Sequence, residues 1–117
     1  MKYIALLYTD PNVAPAPGHP DFGVMLTAYR AASKRFVEDG VLVAGDALES
    51  ASTATTIRIR GGATETLDGP FAESKEQLGG YYILDCPSLD DALRYAAMIP
   101  AAAHGSVELR PIMTLPE

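Results

Sequence analysis

Near the end of the chain two charged residues, Glu108 and Arg110, alternate with Val107 and Leu109. In an extended segment that period sends the charges to one face and the aliphatic side chains to the other. A guanidinium and a carboxylate on a covered sheet face must pair or bind something, because an unpartnered buried charge is strongly unfavourable. Glu108 and Arg110 therefore read either as a structural ion pair across the sheet or, through Arg110, as an anchor for an anionic ligand. Tyr81 or Tyr82, whichever shares that face, would add a hydroxyl to such a site or else fill the core. Asp68 and Glu73 flank Gly69-Pro70-Phe71. Two carboxylates can act as acid and base when their surroundings separate their pKa values. The structural alternative is a turn in which Asp68 accepts backbone N–H bonds, Gly69 supplies backbone freedom, Pro70 fixes φ and Phe71 anchors the turn in the core. His19, just before Pro20, is an exposed junction residue or a general base. His104 beside Gly105 reads as a loop residue near a helix end. Cys86 closes an apolar run and reads as a buried hydrophobe rather than a nucleophile.

The elements that must position these residues follow from periodicity. Residues 2–8 are apolar on both alternating sets, which predicts a strand covered on both faces; Tyr3, Ala5 and Leu7 are expected to point away from the helices. The Pro-rich stretch Asp10 to Pro20 forbids a continuing strand or helix and reads as a loop or lid. Met25, Tyr29, Ala32 and Phe36 then form one stripe of a helix over about Asp21–Asp39, stopped by Gly40. Val41–Leu48 is a second strand. Ile57 and Ile59 alternate with Arg58 and Arg60 before Gly61-Gly62, the mark of a hairpin running through Leu67 with one polar face. Gly79–Cys86 is a β-prone run, apolar on both faces and so central. Ser88 caps a second helix with Asp91 three residues on, its apolar face given by Leu89, Ala92, Leu93 and Ala96 and its end by Pro100. The strand around Val107–Met113 completes the order.

That order, strand, helix, strand, hairpin, strand, helix, strand, predicts an α+β, ferredoxin-like βαββαβ fold with a hairpin insertion: an antiparallel sheet with two helices on one face. Residues 1–117 read as one domain, since 117 residues leave no room for a second core. With the other sheet face uncovered, a second subunit packing sheet on sheet is the natural cover, which predicts a homodimer.

The balance of charge narrows the partners. A net charge of −6 repels a phosphate backbone or an anionic membrane, so neither is expected to bind. The first apolar run is broken by Thr9-Asp10-Pro11, too short for a signal peptide, and no stretch approaches a membrane span. A cytoplasmic protein is expected. One cysteine and two histidines supply neither a disulfide framework nor metal-ligand pairs, and Gly61-Gly62 and Gly79-Gly80 lack the context of a phosphate loop, so no metal and no cofactor are expected.

Leu67-Asp68-Gly69-Pro70-Phe71-Ala72-Glu73-Ser74-Lys75-Glu76-Gln77-Leu78-Gly79-Gly80-Tyr81 resembles the signature of the DGPF branch of the YCII-related proteins. Met1-Lys2-Tyr3, Gly40-Val41 with Gly45-Asp46-Ala47-Leu48, and Gly105 to Ile112 are similar to the same group. The resemblance implies a dimeric α/β barrel. It also implies that some relatives are encoded beside extracytoplasmic-function sigma factors, and that the wider group includes a dehydrochlorinase with a His/Asp pair as acid-base site. Here His19 stands where that histidine would fall and Asp46 where the aspartate would, but Asp46 follows Gly45 directly and the group's Gly-Pro step is absent. Two functions remain open. One is a small-molecule-binding or regulatory homodimer with a pocket between sheet and loop, lined by Arg110, the tyrosines and the Asp10–Pro20 loop. The other is a cofactor-independent acid-base enzyme, a lyase or hydrolase on a small anionic or phenolic substrate, with His19, Asp46 or Asp68 as base and Arg110 as electrostatic stabiliser.

Overall fold

The computed structural model describes residues 1–116. Its strands are β1 (Lys2–Thr9), β2 (Leu42–Ala47), β3 (Thr55–Arg60), β4 (Ala63–Asp68), β5 (Gln77–Asp85) and β6 (Ser106–Pro111). Its helices are α1 (Phe22–Glu38), α2 (Leu89–Ala96) and a single turn, α3 (Ala101–His104). Four strands form an antiparallel sheet in the order β2-β5-β1-β6, while β3 and β4 pair only with each other. This is the ferredoxin-like plan with a hairpin inserted between its second and third sheet strands.

Local chemistry sets the element ends. Gly40 takes φ 70°, where a side chain would be strained, and α1 closes with Val41 N–H on the Phe36 carbonyl and Gly40 N–H on that of Val37, each at 3.0 Å. The Ser88 hydroxyl accepts from the Asp91 N–H at the start of α2. At the other end of the sheet, a Cβ on Gly105 would collide with the Tyr8 carbonyl oxygen, so β6 reaches β1 only through a glycine. No helix among the described residues is long and apolar enough to cross a membrane.

All three helices lie on one face of the sheet. The core beneath them gathers Tyr3, Ala5, Leu7 and Leu84 from the strands with Ala32, Phe36, Ala92, Ala96 and Ile99 from the helical side. Phe36 is at its centre, meeting the rings of Tyr82 and Tyr95 edge-on at 5.3 and 5.7 Å. Tyr3, Ala5 and Leu7 thus face the helices, opposite to the sequence expectation. Both alternating sets of β1 are apolar, so periodicity had no means of choosing; packing chose the set containing Ala5, which lets the alanine-rich helices approach. The second helix differs too. Ala92, Tyr95 and Ala96 form its buried face, whereas Leu89 and Leu93 stay about half exposed, because the small side chains allow close packing while Tyr95 anchors the helix. Past Pro100 the alanine cluster adds the turn α3, ending at His104, with Ala101 fully buried.

Candidate functional site

Between the first half of α1 and the sheet lies a cavity of about 530 Å³. Phe22, Met25, Leu26, Tyr29 and Ser33 wall it from the helix, and Leu7, Thr9 and Tyr82 from the sheet. Glycines on the helix-facing side of the strands make the room. A Cβ on Gly45 would stand 2.8 Å from the Tyr82 ring, and one on Gly80 would stand 3.0 Å from the Asp46 carbonyl oxygen. Glycine inside a strand marks a close approach of this kind. Next to Gly80 the register slips between Leu7 and Tyr8, leaving Gly79 as a bulge residue at the cavity's edge.

The polar groups of the cavity are hydroxyls. Ser33 Oγ and Tyr82 OH are 2.9 Å apart, a bond between helix and sheet. Burial, then the neighbouring Tyr82, push the Tyr29 phenol above its ordinary 10.0, an effect the Ala101 backbone partly offsets. Tyr29 is therefore a neutral hydrogen-bonding group across the physiological range. A mostly apolar chamber of this size with a few converging hydroxyls suits a small, flat, oxygen-bearing molecule.

Asp46 and Tyr81 border the cavity through their strands, but alternation turns their side chains to the opposite, helix-free face. Tyr81 OH donates to Asp46 Oδ2 at 2.9 Å, and this bond raises the Tyr81 phenol above 10.0. The register sets Asp46, Tyr81, Leu6 and Glu108 in one row across that face and Ala44, Ile83, Ile4 and Arg110 in the next. Of the two tyrosines, then, Tyr81 shares the face of Glu108 and Arg110, and Tyr82 the helix face. Arg110 Nε and Glu108 Oε2 pair at 3.0 Å along one strand. Their side chains are 71% and 46% exposed in the single chain, so the pair is not buried by its own fold, and Arg110 does not line the cavity.

The remaining candidates are scattered. His19 Nδ1 accepts from the Asp21 N–H at 3.0 Å and has the Asp21 carboxylate, not Asp46, as its charged neighbour at 4.0 Å. It sits in the turn entering α1, and among the described residues no hydrogen bond or ion pair joins it to Asp46. Asp68 is the last residue of β4, opposite Thr55, and its carboxylate takes no hydrogen bond among the described residues. The turn is held instead by Gly69 N–H on the Ala54 carbonyl (2.7 Å) and Thr56 Oγ1 on the Gly69 carbonyl (2.8 Å), with Gly69 at φ 108°. Asp68 thus does not take the expected capping role: the Ala54 carbonyl accepts the turn N–H, and Thr56, one strand away, donates to the turn carbonyl. Phe71 does not anchor the turn in the core either; it is 77% exposed and lies under the Arg58 guanidinium, 5.4 Å from its ring centre. Glu73 is exposed. Cys86 is 1% exposed, and burial, then the Asp91 and Asp85 charges, push its thiol up, which makes it a poor nucleophile.

Sequence reasoning missed Tyr29 and Ser33 as cavity residues, having read α1 only as a core stripe. The available signal was the pair of glycines, Gly45 and Gly80, inside otherwise β-prone runs.

A sheet of order β2-β5-β1-β6 with its helices on one face is the ferredoxin-like arrangement expected from the order of the elements. The structure is similar to 5-chloro-2-hydroxyhydroquinone dehydrochlorinase (TftG) from Burkholderia phenoliruptrix AC1100, solved in complex with 2,5-dihydroxybenzoquinone, with a TM-score of 0.51 over 97% of this chain and 94% of that one. Identity between the two is 14%, so the likeness is one of fold. The YCII-related domain matches residues 1–116, and the chain belongs to the YCII-related family. It is also 39% identical to the uncharacterized protein R00369 of Rhizobium meliloti (strain 1021) over 114 residues, 96% of this chain and 92% of the relative.

Proposed function

We propose that this YCII-related chain is a homodimer that binds a small phenolic or quinone-like molecule in the cavity between α1 and the sheet. The cavity's make-up carries this reading: about 530 Å³, walled mostly by apolar side chains, with the Tyr29, Ser33 and Tyr82 hydroxyls as its orienting groups. The compound bound by the structurally similar TftG, 2,5-dihydroxybenzoquinone, is of the same chemical class. The homodimer is supported by the helix-free face, where Ile4, Leu6, Ile83 and Tyr81 remain partly exposed. A thermal-shift titration with 2,5-dihydroxybenzoquinone and simple dihydroxybenzenes tests the binding reading, since a ligand of the native state raises the melting temperature with concentration. Tyr82→Phe should weaken binding about fivefold, the equivalent of one hydrogen bond of roughly 1 kcal/mol. Absence of any shift, or an unchanged affinity in Tyr82→Phe, would overturn it.

The acid-base reading keeps one specific support, the Asp46–Tyr81 hydrogen bond on the helix-free face together with the dehydrochlorinase activity in TftG's name. In that reading Asp46 is the base and the site opens on the opposite side of the sheet. Chloride release from a chlorinated hydroquinone, lost in Asp46→Asn and retained in Tyr82→Phe, would favour it over binding alone.

A further inference from the structure

The β3–β4 hairpin is the one part of the described chain that the fold does not explain. Its strands pack extensively on each other and on no other element to a comparable extent. Its tip is a tight turn through Gly61 and Gly62, at φ 57° and 79°, the backbone that twists a hairpin into a stiff two-stranded ribbon. A ribbon of two strands alone is marginal in water and needs a surface to pack on.

The hairpin's two faces differ. One carries Arg58, Arg60 and Glu65, with Phe71 of the same chain lying against Arg58. The other carries Ile57 and Ile59 opposite Thr66 and Thr64, a β-branched surface without a charge along those pairs, and each isoleucine is 65% exposed. Within its own chain, then, the charged face has company and the apolar face has none. The molecule is correspondingly flat and extended, 48 × 47 × 18 Å, with a radius of gyration of 16.2 Å. A compact chain of this length has a radius of about 13 Å.

We propose that the hairpin is an arm that grips a second copy of this chain through its Ile57/Ile59 face. The proposal rests on the homodimer reading above and adds to it a second, separate contact. Two observations favour a second copy as the occupant. First, the arm and the helix-free sheet face are one continuous surface: Ala54 and Pro70 at the arm's base and Tyr8 and Leu78 from the sheet wall the same cavity of about 420 Å³. A partner seated on the sheet face therefore lies beside the arm. Second, the arm's charge permits the contact. Residues 55–68 hold two arginines against Glu65 and Asp68 and are neutral, so the net −6 of the chain lies entirely outside the arm. A neutral arm with an uncharged Ile57/Ile59 face meets the acidic body of another copy without the repulsion that two acidic bodies exert on each other.

Hydrogen exchange on the unmodified protein tests this, comparing concentrations above and below the dimer dissociation constant. The arm amides from Ile57 to Thr66 should be protected in the dimer and exchange fast on dilution, because an unsupported ribbon opens easily. The double variant Ile57→Thr, Ile59→Thr keeps β-branched side chains but removes apolar surface, and should raise the dissociation constant by about tenfold or more. If the protein is a dimer whose arm amides exchange at the same rate at both concentrations, the arm proposal fails and the sheet-face dimer stands. If the protein is a monomer at every concentration, both fail. Arm protection that appears only when a different protein is added overturns the second copy as occupant.

Discussion

The two faces of the central sheet are built from neighbouring residues of the same strands, yet they differ in kind. On one face Tyr3, Ala5, Leu7, Tyr82 and Leu84 meet the helices, and nearly every side chain is buried or bonded across elements. On the other, Ile4, Leu6, Ile83 and Tyr81 form an apolar strip bounded by Asp46 on one side and by Glu108 and Arg110 on the other, all part-exposed or exposed. Apolarity alone does not separate them. The helix face is completed by its own chain, and in the proposed homodimer the other is completed by a partner, so the same type of substitution should damage folding on one and assembly on the other.

Consecutive residues of β1 provide the sharpest break. Ala5 is fully buried among the helices, and Ala5→Asp would place an unpaired carboxylate there. The cost should exceed about 4 kcal/mol, a large part of the 5–15 kcal/mol that holds a domain of this size together. A denaturant melt showing a well-folded Ala5→Asp protein would mean that the helix face is misassigned. Leu6→Asp, one residue on, should leave a cooperative melt but halve the mass measured by light scattering. A dimer that survives Leu6→Asp unchanged would remove the helix-free face from the interface.

How far this asymmetry was legible in the sequence depends on the element. Strand and helix order, the hairpin and the alternation of Glu108 and Arg110 with Val107 and Leu109 could be read because period and turn residues are local signals. The orientation of β1 could not, since Tyr3, Ala5 and Leu7 and their neighbours Ile4, Leu6 and Tyr8 are equally apolar and the choice is made by contacts distant in sequence. Leu89 and Leu93 misled for a related reason: α2 is oriented by Tyr95, whose hydroxyl reaches Asp39 on another element at 2.7 Å. The cavity was hidden because it is defined by missing side chains at Gly45 and Gly80. Asp68 looked like a turn residue because its type favours one, whereas the groups that hold the turn, the Ala54 carbonyl and the Thr56 hydroxyl, come from more than ten positions earlier in the chain.

Arg110 measures how much a partner changes the helix-free face. In the single chain its ion pair with Glu108 is solvent-exposed and should contribute less than about 1 kcal/mol. Under a partner subunit the same pair would be desolvated, and removing one member should then cost about 3 kcal/mol. Arg110→Met should accordingly be near-neutral in the Leu6→Asp background and clearly destabilising in the unmodified protein. Equal effects in both backgrounds, measured by melting, would show that the ion pair is outside the interface.

The smallest effect is expected on the helix side, where a charge ties two elements of one chain. Asp39, at the end of α1, accepts from Arg35 Nε at 2.8 Å and from the Tyr95 hydroxyl of α2 at 2.7 Å. The Arg35 bond, then the Tyr95 bond, hold its carboxyl below the ordinary 3.8. A carboxyl whose pKa is lower folded than unfolded stabilises the fold above the unfolded value, and the contribution is lost as pH falls through the folded one. Asp39→Asn keeps an acceptor oxygen for both donors and removes only the charge. Its melting temperature should therefore lie below that of the unmodified protein at neutral pH, with the gap closing as pH drops below about 3.8. The same bond raises the Tyr95 phenol above 10.0, so an opposite wing is expected: the contribution held by the protonated phenol is present below that value and lost as pH rises through the folded one. A melting difference that stays constant through the acid range would mean that the Asp39 charge does not join the two helices, and that Tyr95 is anchored by its ring packing and a hydrogen bond that needs no charge.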